Sequence, residues 1–347
     1  MQAKLNTTDQ LLQANSAVAR QIQRFYRKHG YVTNRKGDFL PMRGNARLPK
    51  DAWKELDSLV VETVKQRLVL LDDFKGVQTN TQDIFDFLIE WQEVTEAAGT
   101  AEQSMGGRPR TDFTDADYNL RAIPLPITYA DFQLNWRRLG AGQGNAAPDI
   151  DAHLVAERTR HVAELLEYIT VHGSEITLNG ESAPGLITFS DAVTGSLSGD
   201  YANDITDYTK IVADHIAMRD ELVNKGYPED GPYNVYWPTK YSGILEEDYT
   251  DYKSETVRER LERITGIDEV KVAPELPHDN KDDYSTDYVS LVYMSPEVVQ
   301  VDQGAAVQPI EWEAEGGFVS NWKIFGAEQP RFLSDANGNT GIVNYSD

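Results

Sequence analysis

The chain has 347 residues and a mass of 39.0 kDa, with 40% hydrophobic and 10% aromatic residues and a formal net charge of −23. That length suits one large or two modest domains, and the apolar content supplies a core and excludes wholesale disorder. The complete absence of cysteine excludes disulfides, thiolate catalysis and Cys-ligated zinc or iron–sulfur sites.

The charge is unevenly placed. Residues 1–50 carry ten basic side chains and only two acids, Asp9 and Asp38, so this segment is +8 and the remainder is −31. A uniformly acidic surface repels nucleic acid and anionic membranes, whereas a basic arm on an acidic body selects its own partners. No apolar run approaches the ~18–20 residues of a membrane span. Lys4 is followed by polar Asn6, Thr7, Thr8, Asp9 and Gln10, not by the apolar segment of a secretory leader. There are only 14 lysines, and none lies between Lys75 and Lys210. Abundant acid with scarce lysine suits concentrated salt, where hydrated carboxylates hold water and cations and the medium screens their repulsion. The plain alternative is an ordinary acidic protein.

In chain order, Leu11, Ala14, Val18, Ile22 and Phe25 form a helical stripe over 9–29, widened by Tyr26 and stopped at Gly30. Residues 31–49, with Gly37, Pro41, Gly44 and Pro49, read as an extended linker. A second helix opens at Leu48-Pro49-Lys50-Asp51-Ala52-Trp53 and presents Trp53, Leu56, Val60, Val64 and Leu68 on one face. Val69, Leu70 and Leu71 are expected to continue as a strand ending near Gly76. Residues 82–128 read as a long two-stranded excursion. One limb holds Ile84–Val94, the middle Ala97–Phe113 is polar, and the return limb runs Tyr118–Ile127 with Pro124 and Pro126 stiffening its base. A hairpin of this length cannot bury its own limbs and needs another surface, most simply a neighbouring subunit.

Residues 148–172 carry the clearest helical pattern. Pro148 suits the first turn, Asp149 and Asp151 suit the positive end, and Gly173 suits the stop. Glu157–His161 and Arg160–Glu164 are i,i+4 pairs. A short strand or turn is expected at Gly185–Phe189, a helix at about 204–225, a strand at Tyr233–Trp237, a short helix at Pro238–Leu245, and a helix over 255–265 capped by Ser254. Further strands are expected at Val270–Ala273, Tyr288–Met294, Val298–Val301, Ile310–Glu313 and Gly317–Phe325. No internal repeat is present.

Three constellations invite chemistry. Gly140-Ala141-Gly142-Gln143-Gly144 precedes a helix, but its spacing is not that of a dinucleotide fingerprint, and Asp149 and Asp151 would repel a pyrophosphate. A hinge is the stronger reading. His153, Glu157 and His161 share a helix face, yet the outer two lie roughly 12 Å apart along the axis, too far for one ion. Asp335-Ala336-Asn337-Gly338-Asn339-Thr340-Gly341 starts like a calcium loop but puts Thr340 where Gly is required and lacks a closing Glu, so a tight turn is the stronger reading, with weak cation binding in salt left open. No G-x-S-x-G elbow and no P-loop occurs. Nothing points to an enzyme or to a cofactor.

The order of the pieces carries a resemblance. Basic arm, Trp-containing helix, long hairpin, Pro-stiffened return, Gly turn, long helix and a mixed second half ending in strands together resemble the major capsid protein of tailed double-stranded DNA viruses, the Hong Kong 97-type fold, and most of all its encapsulin branch. The matching segments are Leu48–Leu56, Ile123-Pro124-Leu125-Pro126-Ile127, Pro148–Gly173 with Gly185-Leu186-Ile187, Gly231–Pro238 with the helix at 255–265 and Val272-Ala273-Pro274, and Ser290–Phe332.

The resemblance implies an α+β fold. Its parts would be a basic N-terminal arm (1–47), a first peripheral segment (48–91), an extended loop (92–122), a peripheral segment with a long spine helix (123–194), an axial domain (195–290) and peripheral terminal strands (291–347). It implies self-assembly into pentamers and hexamers of an icosahedral shell in a virion, built in the host cytoplasm. The shell would enclose double-stranded DNA without sequence-specific contact, with cement, portal and scaffold proteins as possible partners and no membrane. A salt-adapted, haloarchaeal tailed virus fits the composition. The alternative is an encapsulin nanocompartment around a cargo enzyme; a salt-adapted enzyme unrelated to either is a distant third. Expected inter-subunit residues are Arg20, Arg24, Arg27, Arg35, Lys36, Arg43 and Arg47 on the arm, and Arg108, Arg110 and Arg121 on the loop. Some relatives lock the shell through a loop lysine; the loop has none here, so that cross-link is excluded.

Overall fold

The computed structural model describes residues 31–33, 39–41, 59–60, 62–64, 68–94, 118–135, 149–203, 207–250, 253–276, 287–314, 319–335 and 337–347. Two compact units result. One holds the described residues up to Glu62 with Tyr129–Thr159 and Gln308–Phe325; the other holds Thr63–Thr128, Arg160–Val307 and Gly326–Asp347. The expected helix at 9–29, most of the one opening at Leu48, the distal hairpin and the Gly140–Gly144 turn lie outside the described residues. Helical backbone at 62–64 falls within the second of these.

In chain order come β1 (Tyr31–Thr33) and β2 (Phe39–Pro41), paired antiparallel within the linker, then α1 (Leu70–Val77). The latter corrects the expected strand over 69–76. Leu70, Leu71 and Phe74 are buried and Asp72 exposed, the spacing of a helix face rather than of alternation. There follow β3 (Thr79–Thr81), β4 (Leu88–Val94), β5 (Tyr118–Pro124), β6 (Thr128–Asn135) and the 24-residue α2 (Asp149–His172), the long helix anticipated from its pattern and likened above to a spine helix. At its end Gly173 turns into the left-handed region at φ 87°. The Leu186 and Ile187 amides then donate to the Thr170 and Val171 carbonyls, at 2.9 and 3.0 Å. The Gly185-Leu186-Ile187 segment is thus a turn that closes the spine helix.

Between them β7 (Gly173–Leu178) and β8 (Glu181–Pro184) form a hairpin absent from the sequence expectation. Its two-residue turn is Asn179 (φ 57°) and Gly180 (φ 89°), the residues such a turn favours.

The second unit is organised on a five-stranded mixed sheet in the order β13 (Ile267–Ala273), β10 (Tyr233–Pro238), β14 (Tyr288–Tyr293), β17 (Ile342–Ser346), β9 (Val193–Ser196). Every residue of β10 is buried, as expected of a central strand covered on both faces. The final strand lies between β14 and β9 instead of following the preceding long strands. α3 (Tyr208–Asn224) and α4 (Val257–Glu262) pack on this sheet through Ile211, Met218, Leu222, Val257 and Leu261. The cap of α4 is Thr256, not Ser254: Thr256 Oγ1 accepts from the Glu259 amide while Glu259 accepts from the Thr256 amide, a reciprocal capping box. The short helix expected at 238–245 is two 3-10 turns, Thr239–Tyr241 and Ile244–Glu246. A minor pair, β11 (Asp248–Thr250) and β12 (Lys253–Thr256), completes this region.

The two strands expected at 298–301 and 310–313 are one strand, β15 (Val299–Ala314), and the last expected strand extends to Phe332 as β16 (Val319–Phe332). Pro309 does not break β15 because β3 pairs only with Val301–Gln303, so the strand has no ladder on that side further along among the described residues. In the first unit Phe132 of β6 stacks on Trp322 at 5.9 Å and 7°. The architecture is α+β.

Gly185 and Gly76 make a paired test. A Cβ on Gly185 would sit 2.2 Å from the Gly173 nitrogen and 2.3 Å from the Val171 oxygen, whereas one on Gly76 meets nothing within 4 Å. We expect Gly185→Ala to destabilise the subunit by about 3 kcal/mol or prevent its folding. Gly76→Ala should stabilise it by about 0.5 kcal/mol. Both are read by urea unfolding.

Candidate functional site

α1 is the junction on which the second unit turns. Its N-terminal amides have no local cap, since Val69 offers no side-chain acceptor. The acceptor arrives from the spine helix. Glu167, buried, takes Val69 N–H at 3.1 Å and Leu70 N–H at 2.7 Å on Oε1, and Leu71 N–H at 3.3 Å on Oε2. From the side of α1, Asp73 accepts Lys271 of β13 at 2.7 and 2.9 Å and the Tyr236 hydroxyl of β10 at 2.9 Å. Lys75 pairs at 2.5 Å with buried Glu328 of β16. Phe74 meets Tyr236 and Phe332 edge-on at 6.1 and 5.9 Å. Eight residues thus join spine helix, five-stranded sheet and long strand.

The second feature is the hairpin. β4 and β5 pair antiparallel from Leu88↔Pro124 to Val94↔Tyr118. Its base is anchored by a small core of Ile89, Ile123, Leu125, Ala183 and Ala327, against which Ile84, Trp91 and Ala305 pack. Beyond Trp91 no described side chain of the hairpin joins this core. Gln92, Leu120 and Arg121 are exposed, Leu120 by 64%. Phe85 and Phe87, on the approach to β4, are exposed by 64% and 77%.

The third is a polar layer under the five-stranded sheet. Asp214 of α3 accepts Ser198 N–H at 3.0 Å, the Ser198 hydroxyl at 2.5 Å and the Tyr201 hydroxyl at 2.9 Å. His215, fully buried, donates from Nδ1 to the Ile211 carbonyl at 2.7 Å and accepts Trp237 Nε1–H on Nε2 at 3.0 Å. That pairing fixes the neutral tautomer. Nearby, Asp200, Asp287 and Asp347 converge with carboxylate oxygens within 4.8 Å of one another. Lys240 occupies the convergence, 2.9 Å from Asp200 and 2.5 Å from Asp287. Burial pushes Asp200 up, but hydrogen bonds from Lys240, the Ala202 amide and Asn203 outweigh it and hold the carboxyl down at about 2. Lys240 thus bridges two of the three carboxylates.

Of the expected contact residues, Arg121 is on the outward part of β5, opposite Trp91. Arg20, Arg24, Arg27, Arg35, Lys36, Arg43, Arg47, Arg108 and Arg110 lie outside the described residues. Arg160 and Glu164 form the anticipated pair at 3.5 Å, and His161 lies 3.7 Å from the same Glu164. Asp335 spends its carboxylate on its own turn: Oδ1 accepts the Asn337 and Asn339 amides at 2.9 and 2.7 Å, and Oδ2 accepts Asn339 Nδ2 at 2.9 Å. No helix among the described residues is long and apolar enough to cross a membrane. Sequence reasoning missed Glu167, whose partners are 96 to 98 residues away, and Lys240.

Two buried groups titrate in opposite senses. Burial raises Glu167 from its ordinary 4.5 to about 7, against the lowering effect of its three amide donors, with Glu275 adding to the rise. The stability this group contributes is therefore present below pH 4.5 and lost as pH rises through 7. Burial draws His215 from 6.5 to about 4, against its bond to Ile211 and the Asp214 charge. Its contribution is present above pH 6.5 and lost as pH falls through 4. Each is on the order of 3 kcal/mol, so the parent chain should show a nearly flat profile across this window. Glu167→Gln removes one slope. By urea unfolding, its stability relative to the parent should rise by about 3 kcal/mol between pH 4.5 and pH 8.

No curated protein matches the sequence significantly. Among solved structures, the chain is similar to the virus-like particle from Pyrococcus furiosus, with 15% identity, 84% of this chain and 98% of that chain covered and a TM-score of 0.53. It is similar to the capsid of Myoviridae phage XM1, with 16% identity, 78% and 89% coverage and a TM-score of 0.56. It is also similar to the capsid of a native GTA particle, with 12% identity, 80% and 91% coverage and a TM-score of 0.54. These likenesses give the chain the Hong Kong 97-like capsid fold anticipated from the order of its segments. A family profile described as a family of unknown function, DUF6260, matches residues 43–282, and the chain belongs to that family.

Proposed function

We propose that this chain is the structural major capsid protein of a tailed double-stranded DNA virus, assembling with copies of itself into the pentamers and hexamers of a closed icosahedral shell. The reading is carried by the β4–β5 hairpin. Its base is fixed in the subunit's own core while its outward part exposes Leu120 and Arg121, which suits a limb to be covered by a second copy. The likeness to assembled phage and virus-like shells over most of the chain supports it. In this reading 92–122 is the extended loop, α2 the spine helix of the peripheral segment, and 195–290 the axial domain, facing the capsomer centre. The role is mechanical rather than enzymatic, and the protein resides in the virion after assembly in the host cytoplasm.

The charge division assigns roles. The −31 body is suited to concentrated salt, as in a haloarchaeal host, and the +8 arm is a clamp on a neighbour's acidic flank. Arg20, Arg24, Arg27, Arg35, Lys36, Arg43 and Arg47 would serve on the arm, and Arg108, Arg110 and Arg121 on the loop. DNA is enclosed without base-specific contact, because counterion-driven affinity for phosphates falls steeply in such salt. Portal, scaffold and cement proteins are the further partners of such a shell. The second reading, a nanocompartment around a cargo enzyme, draws on the match to nearly the full length of the Pyrococcus furiosus particle protein.

Electron microscopy of the purified chain in molar salt should show closed icosahedral particles; a stable monomer at every salt concentration would contradict the proposal. Nuclease-protected DNA in native particles favours the viral reading, and a co-purifying enzyme favours the compartment. Deleting residues 2–45 should leave a folded body whose yield of closed shells falls at least tenfold. Normal shells from that truncation would remove the arm as a clamp.

A further inference from the structure

Trp91 marks the rung at which the hairpin leaves its base. Behind it Ile89 and Ile123 are buried; beyond it Gln92 and Leu120 are exposed. The two strands advance about 3.3 Å per residue, so a 10° rotation at this rung displaces the Val94–Tyr118 pair, three residues further along, by about 2 Å. Whatever fixes the Trp91 ring therefore fixes where the outward hairpin points.

One charged group is placed on that ring. The Arg331 guanidinium of β16 lies 4.9 Å from the centroid of the Trp91 indole. It is held from behind by groups outside the hairpin. Arg331 Nε lies 3.4 Å from Asp302 Oδ2, and Nη2 donates to Gln300 Oε1. Asp302 is fully buried and accepts Gln82 Nε2 on its other oxygen at 2.8 Å; Gln300 also accepts Asn80 Nδ2 at 2.8 Å. Burial draws Arg331 below its ordinary value while Asp302 opposes this, and a guanidinium stays charged throughout. The pairing with Asp302 does not need Trp91, and the apolar contacts of Trp91 do not need a cation. Their juxtaposition at the last anchored rung is the observation to be explained.

We propose that Arg331 is a positioning residue that sets the exit direction of the β4–β5 hairpin by holding the Trp91 ring, with Asp302 and Gln300 fixing the guanidinium. Its purpose rests on the shell reading, since a limb aimed at a neighbouring copy needs a fixed direction. Its geometry stands independently. Attraction of a cation to a ring face is strongest for indole, weaker for phenyl and lacking for an aliphatic side chain. Phe and Leu therefore separate the cation's effect from plain apolar packing.

The chain contains no cysteine, so spin labels can be placed through Gln92→Cys and Thr177→Cys, both exposed. Distances are then read by double electron–electron resonance in full-length chains diluted among unlabelled ones. We expect a narrow distribution in the parent, near-parental width in Trp91→Phe, and at least a twofold broadening in Trp91→Leu. Equal widths in Trp91→Phe and Trp91→Leu overturn the proposal, because a purely structural role of the ring predicts them. Should Trp91→Leu fail to fold, the double variant Arg331→Gln/Asp302→Asn removes both charges without leaving a buried carboxylate unpaired. It should broaden the distribution similarly, and a parental width there overturns the proposal. Microscopy of the same samples keeps the two ideas apart. A parent that forms no shells refutes the shell reading alone, while unbroadened distances refute the pivot alone.

Discussion

A helix of eight residues is too short to hold itself together in water, because nucleation costs more than two turns return. Its first amides also need acceptors if they are to be buried. In this protein α1 exists because the Glu167 carboxylate of the spine helix supplies them. Once α1 is formed, its other side chains are committed to fixed directions: Asp73 toward Lys271 and Tyr236, Lys75 toward Glu328, Phe74 between Tyr236 and Phe332. Spine helix, sheet and long strand are therefore registered to one another through a single short element. The arrangement is costly, since it holds a carboxylate away from water, and the raised titration of Glu167 records that cost.

The second unit is built in the same manner elsewhere. Asp214 gathers the 198–201 segment onto α3, Lys240 draws together Asp200 and Asp287, and Asp302 holds Arg331 against the hairpin base. Polar anchors sit where elements distant in sequence meet, and apolar packing fills between them. Such anchors specify geometry more than they add stability. In the proposed shell a subunit would meet identical copies in more than one ring size, which fixed directions at its edges and rigidity at its centre would serve.

Much of this was legible in the sequence, for physical reasons. α2, α3, β10 and β14 carry their burial pattern in their own residues, and Gly173 announces the end of the spine helix. Two misses were readable in principle: Asn179-Gly180 is a turn signal, and Thr256 with Glu259 is a capping box stronger than Ser254. Others were not. Val69-Leu70-Leu71 looks like a strand because the carboxylate that makes it helical lies at position 167. β15 looks like two strands because Pro309 sits past the Val301–Gln303 stretch that β3 covers, and β3 lies far from it in sequence. Trp91 reads as one more apolar residue of a limb, and no motif foretells that Arg331 faces it. The candidate site was visible as a hairpin in need of cover; its fastening was not.

The burial of these polar anchors separates two responses to salt. Dissolved ions screen charges they can surround, and they reach neither Asp302 nor Glu328, both of which are buried. The Arg331–Asp302 and Lys75–Glu328 pairs are thus shielded from ionic strength, while the partly exposed Lys240 and Lys271 pairs and the exposed acidic surface are not. In the proposed shell, a change of salt would then act first on the exposed charges where copies meet and least on the contacts buried at Asp302 and Glu328.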